Sequence, residues 1–251
     1  MEPLLSSSSF DFSGQRVLIT GAAGGLGSAM ARAFGGHGAE LLLADRDAQG
    51  LQTLASSLSA ETPTMVYDQA DLTTLAELAN WAGDLDVLVN NAGILATGPL
   101  LECDPETIET VVQTNMIGPM VLVRHVGETM VRNGRGVIIN ISSQLAFHGS
   151  ATRAAYSAAK AGLAQFTRAA AAEWARKGVR VVAIAPGRTK TPMTDHLYAE
   201  PGSLEKALEH IPAGRLGTAD DVARLAVFLA SKNADYVVGE TVISDGGYVL
   251  L

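Results

Sequence analysis

Tyr156 and Lys160 stand four residues apart in a run whose pattern is helical. Four residues make about one turn, so both side chains lie on one face. Ser143 precedes Tyr156 by thirteen residues, just past an aliphatic run. A phenol ordinarily has a pKa near 10, too high for a good base at neutral pH. A nearby ammonium favours the phenolate and lowers that pKa. A serine hydroxyl beside the phenol can donate to a substrate oxygen and hold it there. The three residues together imply proton transfer at an alcohol or carbonyl oxygen. Ser142 is the rival of Ser143. Neighbours leaving a strand point to opposite sides, and the thirteen-residue spacing favours Ser143.

A second constellation lies near the start of the chain. Val17-Leu-Ile-Thr-Gly-Ala-Ala-Gly-Gly-Leu-Gly27 begins as a buried strand and turns through Gly21, Gly24, Gly25, Leu26 and Gly27. It then enters a helix at Ser28. A strand, a glycine turn and a helix in that order form a phosphate site. Asp45 ends the next apolar run, 24 positions after Gly21. An acidic residue at that distance accepts hydrogen bonds from the adenosine ribose of a dinucleotide. A carboxylate there repels a 2′-phosphate, so NAD is expected over NADP. Arg46 pulls the other way, because its guanidinium could hold such a phosphate.

Thr20-Gly21-Ala-Ala-Gly-Gly25-Leu-Gly27 resembles the Thr-Gly-x-x-x-Gly-x-Gly loop of the short-chain dehydrogenase/reductase family. Asn90-Asn91-Ala92-Gly93 is a second match, and the resemblance runs over about residues 12–247. It implies hydride transfer between NAD(H) and a secondary alcohol or ketone, with Tyr156 as general acid and base. In that family Lys160 would also bind the nicotinamide ribose, and Asn115 would hold a water that relays protons. Asp71 and Leu72 would meet the adenine. Asn90, Asn91, Ala92 and Gly93 would pass under the adenosine. Pro186 and Gly187 would bound the nicotinamide pocket, and Thr189 and Thr191 would hold the carboxamide and pyrophosphate. Arg188 and Lys190 stand where cofactor phosphates or substrate could be reached. Gln144, His148 and Arg153 lie in the loop that lines the family's substrate pocket, with Ser143 and Tyr156. For His148 a solvated loop position is the plain alternative. Gly214-Arg-Leu-Gly, Asp220-Asp221-Val-Ala, Gly239 and Asp245-Gly246-Gly247 resemble the family's closing segment, which implies a homotetramer.

These residues need a scaffold, and the apolar pattern supplies one. Strand-like runs at 16–20, 40–45, 64–68, 85–89, 136–141, 179–184 and 240–244 alternate with helical patterns. This predicts an α/β fold, a Rossmann-type doubly wound parallel sheet of about seven strands with helices on both faces. Helices are expected at 25–37, 47–58, 73–81 with Thr73 as cap, 154–176 and 219–231. A long one at 105–132 should bend or break near Gly118-Pro119. Residues 1–12 read as a flexible lead-in, and 13–251 as one domain. The polar stretch 188–212 reads as a substrate loop with a short helix, able to act as a lid.

Composition bounds the partners. The 251 residues are 47% hydrophobic and carry a net charge of -8. No basic patch suggests nucleic acid, and no apolar run reaches the roughly 18–20 residues of a membrane span. The start lacks the pattern of a signal peptide, so a cytoplasmic location is expected. Cys103 is the single cysteine, and the five histidines (His37, His125, His148, His196 and His210) are dispersed, so no metal is expected. The expected partner is a small-molecule substrate: a polyol, sugar or small hydroxy compound. A 3-oxoacyl thioester is the alternative, and a dinucleotide-binding regulator without turnover the remote one. Acyl-carrier reductases usually meet an acidic carrier with a basic patch, which a charge of -8 disfavours.

Overall fold

The computed structural model describes residues 10–59 and 61–251; the side chains of His196 and Leu197 also lie outside the description. In chain order the elements are β1 (Arg16–Thr20), α1 (Gly25–Gly36), β2 (Glu40–Asp45), α2 (Ala48–Leu58), β3 (Thr64–Val66), α3 (Leu72–Ala82), β4 (Val87–Asn90), α4 (Pro105–Val112), α5 (Gly118–Asn133), β5 (Gly136–Ile141), α6 (Ala154–Trp174), β6 (Val179–Pro186), α7 (Ser203–Leu208), α8 (Ala219–Ala230) and β7 (Thr241–Ser244). The strands form one sheet in the order β3-β2-β1-β4-β5-β6-β7. Every pairing is parallel, as expected.

Strand residues alternate between two cores. Val17 and Ile19 of β1 pack with Met30, Phe34, Leu51, Val222 and Leu229 of α1, α2 and α8. Leu18, between them, packs with Leu75, Leu78, Leu122 and Ala170 of α3, α5 and α6. Full burial of such a side chain contributes about 1.5–3 kcal/mol. With both faces covered, the central strands read as unbroken apolar runs. The free space is therefore at the strand ends. β1 and β4 are neighbours, but the chain winds outward from them in opposite senses. Their carboxyl ends open a crevice between the flanking loops.

Local chemistry moves several boundaries. Residues 1–9 of the expected lead-in lie outside the described residues, but Phe12 is buried edge-to-face on Phe34. The packed chain therefore begins before residue 13. Thr73 does not cap α3. Asp71 does, its carboxylate accepting the Thr73 N–H. The interruption expected at Gly118-Pro119 comes one turn earlier, as a π-helical turn over Gln113–Ile117. Pro119 cannot donate to the carbonyl of Asn115, four residues back, which favours a local change of pitch.

A buried polar chain seats α6 on the sheet. Asn90 Nδ2 donates to Asn140 Oδ1 at 3.0 Å, and Asn140 Nδ2 donates to Thr167 Oγ1 at 2.9 Å. Thr167 in turn donates to the Leu163 carbonyl of its own helix at 2.9 Å. Asn140 and Thr167 have no solvent exposure, so their partners cannot be replaced by water at no cost. We predict that Asn140→Ala, by removing a buried bond from each of Asn90 and Thr167, costs about 2 kcal/mol in chemical denaturation. The melting temperature should fall by roughly 4–8 °C. An unchanged midpoint would show that packing alone seats α6.

Candidate active site

The turns leaving β1, β2, β3, β4, β5 and β6 enclose a cavity of about 470 Å³. At one end is the turn after β1. Gly21 has φ +62°, and a Cβ there would lie 2.7 Å from the Ala92 Cα. Only glycine allows the two turns to touch. The contact is fixed by polar groups as well. The Asn91 side-chain amide donates to the carbonyls of Thr20 and Gly21, both at 2.9 Å. The Thr20 hydroxyl accepts the N–H groups of Asn91 and Ala92. The loop is thus held rigidly at the N-terminus of α1, whose N-cap, Gly24, makes no side-chain capping bond. The Asp45 carboxylate accepts the Ala23 N–H at 2.9 Å and the Asp47 N–H at 3.0 Å, which fastens the end of β2 to the same loop.

At the other end, β5 delivers Ser142 and Ser143 to the start of a short turn. Their roles divide as their side chains do. Ser142 Oγ donates to the Lys160 carbonyl at 2.9 Å and serves to dock α6. Ser143 Oγ accepts the Leu145 N–H at 3.2 Å and lines the same cavity as the Tyr156 phenol. One turn on, Lys160 Nζ donates to the Ile141 carbonyl at 2.8 Å and lies 5.8 Å from the centre of the Tyr156 ring. The Asn115 amide donates to the carbonyls of Ile94 (3.0 Å) and Val111 (2.9 Å) and accepts the Ile94 N–H at 3.2 Å. Both hydrogens of that amide are committed, so its side chain fixes the turn after β4. A Cβ on Gly93 would lie 2.6 Å from Asn115 Oδ1 and 3.4 Å from Lys160 Nζ, so glycine is needed here too.

The electrostatics follow from burial. Lys160 is 4% exposed, and desolvation lowers its ammonium from 10.5 to about 8. Desolvation also dominates at Tyr156 and raises its phenol above the usual 10. The Ser143 hydrogen bond and the Arg153 charge act in the opposite sense. At neutral pH the side chains therefore offer a proton-bearing phenol, a hydroxyl and a mostly charged ammonium around one space. That set can donate a proton to an oxygen, or take one back when a nearby positive charge assists.

The cavity brings together Gly21, Gly24, Gly25, Leu26, Asp45, Arg46, Asn91, Ala92, Gly93, Asn115, Ser143, Gln144, Arg153, Tyr156, Lys160, Pro186, Gly187, Thr189 and Thr191. Six expected residues do not line it: Gly27, Asp71, Leu72, Asn90, His148 and Lys190, the last exposed. Gly27 and Asn90 lie behind the lining, where Asn90 belongs to the buried chain described above. Leu72 opens α3 and Asp71 is its N-cap, its carboxylate accepting the Thr73 N–H. The residues at the end of β3 that do reach the cavity are Tyr67, Asp68 and Gln69. They follow the strand directly, so the rule that ligands sit at strand carboxyl ends would have found them. His148 is turned against Tyr248, with ring centres 5.2 Å apart. Arg188, Met193, Thr194 and Tyr198 add a wall from the 188–212 stretch.

The arrangement fits a dinucleotide. The cavity is continuous from Asp45, past an N-terminus without a side-chain cap, to Lys160, and its glycine turns have no room for side chains.

Comparison with known proteins agrees. A family model described as "Enoyl-(Acyl carrier protein) reductase" matches residues 21–249. Galactitol 2-dehydrogenase (L-tagatose-forming) of Cereibacter sphaeroides is 37% identical over 247 residues, covering 96% of this chain and 97% of that protein. A 3-oxoacyl-[acyl-carrier-protein] reductase of Rickettsia conorii is 34% identical, covering 96% and 99%. The crystal structure of a gluconate 5-dehydrogenase from Burkholderia cenocepacia, in complex with NADP and tartrate, superposes with a TM-score of 0.92. It is 31% identical and covers 98% of this chain and 99% of that one.

The buried ammonium generates a prediction. Between pH 8 and 10.5 the unfolded chain holds a proton on Lys160 that the folded chain has lost. Stability should therefore rise with pH across that window, by up to about 3 kcal/mol. Urea unfolding at several pH values should show this rise in the native protein and a smaller one in Lys160→Met. Equal slopes would show that the ammonium is not desolvated.

Proposed function

The chain belongs to the short-chain dehydrogenase/reductase family, and from that premise we propose that it is an NAD(H)-dependent oxidoreductase interconverting a secondary alcohol and a ketone. The substrate is a polyol, sugar or small hydroxy compound. The observation that carries this reading is the meeting of Ser143, Tyr156 and Lys160 at one end of a cavity whose other end is the glycine turn.

The bound dinucleotide supplies the acceptor or donor of hydride. Gly21, Gly24, Gly25 and Leu26 would face its pyrophosphate, Asp45 its adenosine ribose, and Pro186, Gly187, Thr189 and Thr191 its nicotinamide end. Ser143 donates to the substrate oxygen and fixes it beside the phenol. In reduction Tyr156 gives its proton to that oxygen as hydride arrives at carbon. In oxidation Tyr156 takes the hydroxyl proton. Lys160 keeps a positive charge near the phenol, which stabilises the phenolate formed on the way. It would also hold the nicotinamide ribose. The Asn115 side-chain amide holds the 94–115 junction, so a relay water bound at this residue would be held by its main chain.

NAD is preferred over NADP in this reading. What supports it is the placement of Asp45, whose carboxylate lines the cavity and is held there by two N–H groups. A second negative group at the 2′ position would meet it. Arg46, exposed on the same rim, softens the discrimination. A second reading, reduction of a 3-oxoacyl thioester, is favoured by the 34% identity to the acyl-carrier reductase.

Absorbance at the reduced-nicotinamide band is the test. NAD with polyols, sugars and secondary alcohols should give turnover, and Tyr156→Phe should lose about three orders of magnitude in kcat while still binding NADH. A Tyr156→Phe enzyme of native rate would overturn the mechanism. Turnover only with NADH or NADPH and a 3-oxoacyl thioester would move the protein to the second reading. Asp45→Ala should narrow the NAD:NADP ratio of kcat/KM by roughly tenfold. An unchanged ratio would remove Asp45 as the discriminator.

A further inference from the structure

The ionisable groups of the cavity are sorted by sign. Asp45, Asp47 and Asp68 all stand near the glycine turn. Around Ser143 and Tyr156 the lining carries Arg153, Arg188 and Lys160, and no carboxylate. Lys160 is occupied with the Ile141 carbonyl. Arg153 and Arg188 take part in none of the ion pairs among the described residues, which engage other arginines and lysines. The Nε of each is buried without a hydrogen-bond partner.

Arg188 is held in place by neutral groups. Its guanidinium carbon lies 5.3 Å from the centre of the Tyr248 ring. Tyr248 is itself flanked by the rings of His148 (5.2 Å) and His210 (6.3 Å). The acidic residue on the same C-terminal turn, Asp245, is spent on the N–H groups of Gly247 and Val249, both at 2.9 Å. A half-buried guanidinium set against an aromatic ring, its Nε unspent and no ion pair made to it among the described residues, is a site suited to a carboxylate.

We propose that the substrate is a small polyhydroxy acid, with its carboxylate bound by Arg188 and Arg153 while its reacting hydroxyl or keto group lies at Ser143 and Tyr156. This rests on the dehydrogenase reading above and narrows it from hydroxy compounds at large to anionic ones. The alternative anion for Arg188 is a phosphate of the dinucleotide, and the test separates the two.

Initial rates are measured with matched pairs that differ in the terminal group: D-gluconate against D-glucitol, and D-galactonate against galactitol, with NAD and NADP. A 3-oxoacyl thioester with NADH and NADPH is run beside them. Calorimetry follows gluconate binding to the NADH-loaded protein and NADH binding to the free protein. In the native protein kcat/KM should favour the acids. Arg188→Gln should collapse the acid-to-alcohol ratio by roughly 10- to 100-fold, chiefly through KM. Arg188→Lys should keep part of the ratio. NADH affinity should be the same in all three proteins, which also reports that the variants fold.

A native enzyme that turns over alditols as well as aldonates, with a ratio unmoved in Arg188→Gln, overturns the carboxylate site and leaves the dehydrogenase standing. Arg188→Gln that weakens NADH binding assigns the arginine to the cofactor phosphates and overturns the proposal. Absence of turnover with acids, alditols and thioester alike removes the dehydrogenase reading and this inference together.

Discussion

Burying the Lys160 ammonium beneath the Tyr156 ring is the constraint around which the rest is arranged. A charged amine at 4% exposure is costly, and the fall of its pKa to about 8 measures that cost. Among the described residues its hydrogen-bond partner is a neutral acceptor, the carbonyl of Ile141 at the last position of β5. The ammonium must therefore be delivered to the strand end with little tolerance in distance. Two polar links do so. Ser142 bonds the Lys160 carbonyl, and the Asn90–Asn140–Thr167 chain pins the next two turns of α6 to β4 and β5. The stability lost on the ammonium is offset by buried hydrogen bonds and by a long, alanine-rich helix packed closely on the sheet.

The opposite end of the cavity solves a different problem with similar means. There the chain must expose N–H groups without letting the loop relax into a compact turn. Thr20, Asn91 and Gly21 lock two turns face to face through short polar contacts. Glycine is required because backbone, not side chain, fills the space. Asp45 extends the same brace to β2. The two ends share one connector, the segment from Asn90 to Ile94, which contacts the glycine turn through Asn91 and the π-helical turn through Asn115. Disturbance of Asn115 would thus be felt at both ends, although its side chain is placed to touch no substrate.

How much of this was legible in the sequence varies with the kind of interaction. The strands follow from apolar runs buried on both faces, and β1, β2 and β5 begin and end where the runs do. The glycine turn, Tyr156, Lys160 and Ser143 lie together because their spacing is local to a turn, a helix or a strand end. Asp71 caps α3, a role a short polar side chain before a helix suits equally well, and the residues just past β3 that reach the cavity are Tyr67, Asp68 and Gln69. The π-helical turn escapes a reading based on Gly118-Pro119, since a proline acts on the carbonyl four residues before it. His148 is withdrawn by a ring contact with Tyr248, a hundred residues later. Contacts of that range have no local pattern to betray them.

The sign pattern along the cavity bears on the reaction itself. A carboxylate bound near Tyr156 without a counter-charge would oppose formation of a phenolate, which burial already disfavours. Arg153 acts with the opposite sign. An anionic substrate paired with a guanidinium adds little net field at the phenol, and Arg153 supplies a favourable one before substrate arrives. A neutral polyol would leave both arginines uncompensated while water is displaced from around them, a loss that grows as the site closes. On the carboxylate proposal, Arg153 would thus serve both to select an acid and to favour the Tyr156 phenolate. On that proposal the charge of the substrate and the acid–base chemistry of the tyrosine would be coupled through the Arg153 guanidinium.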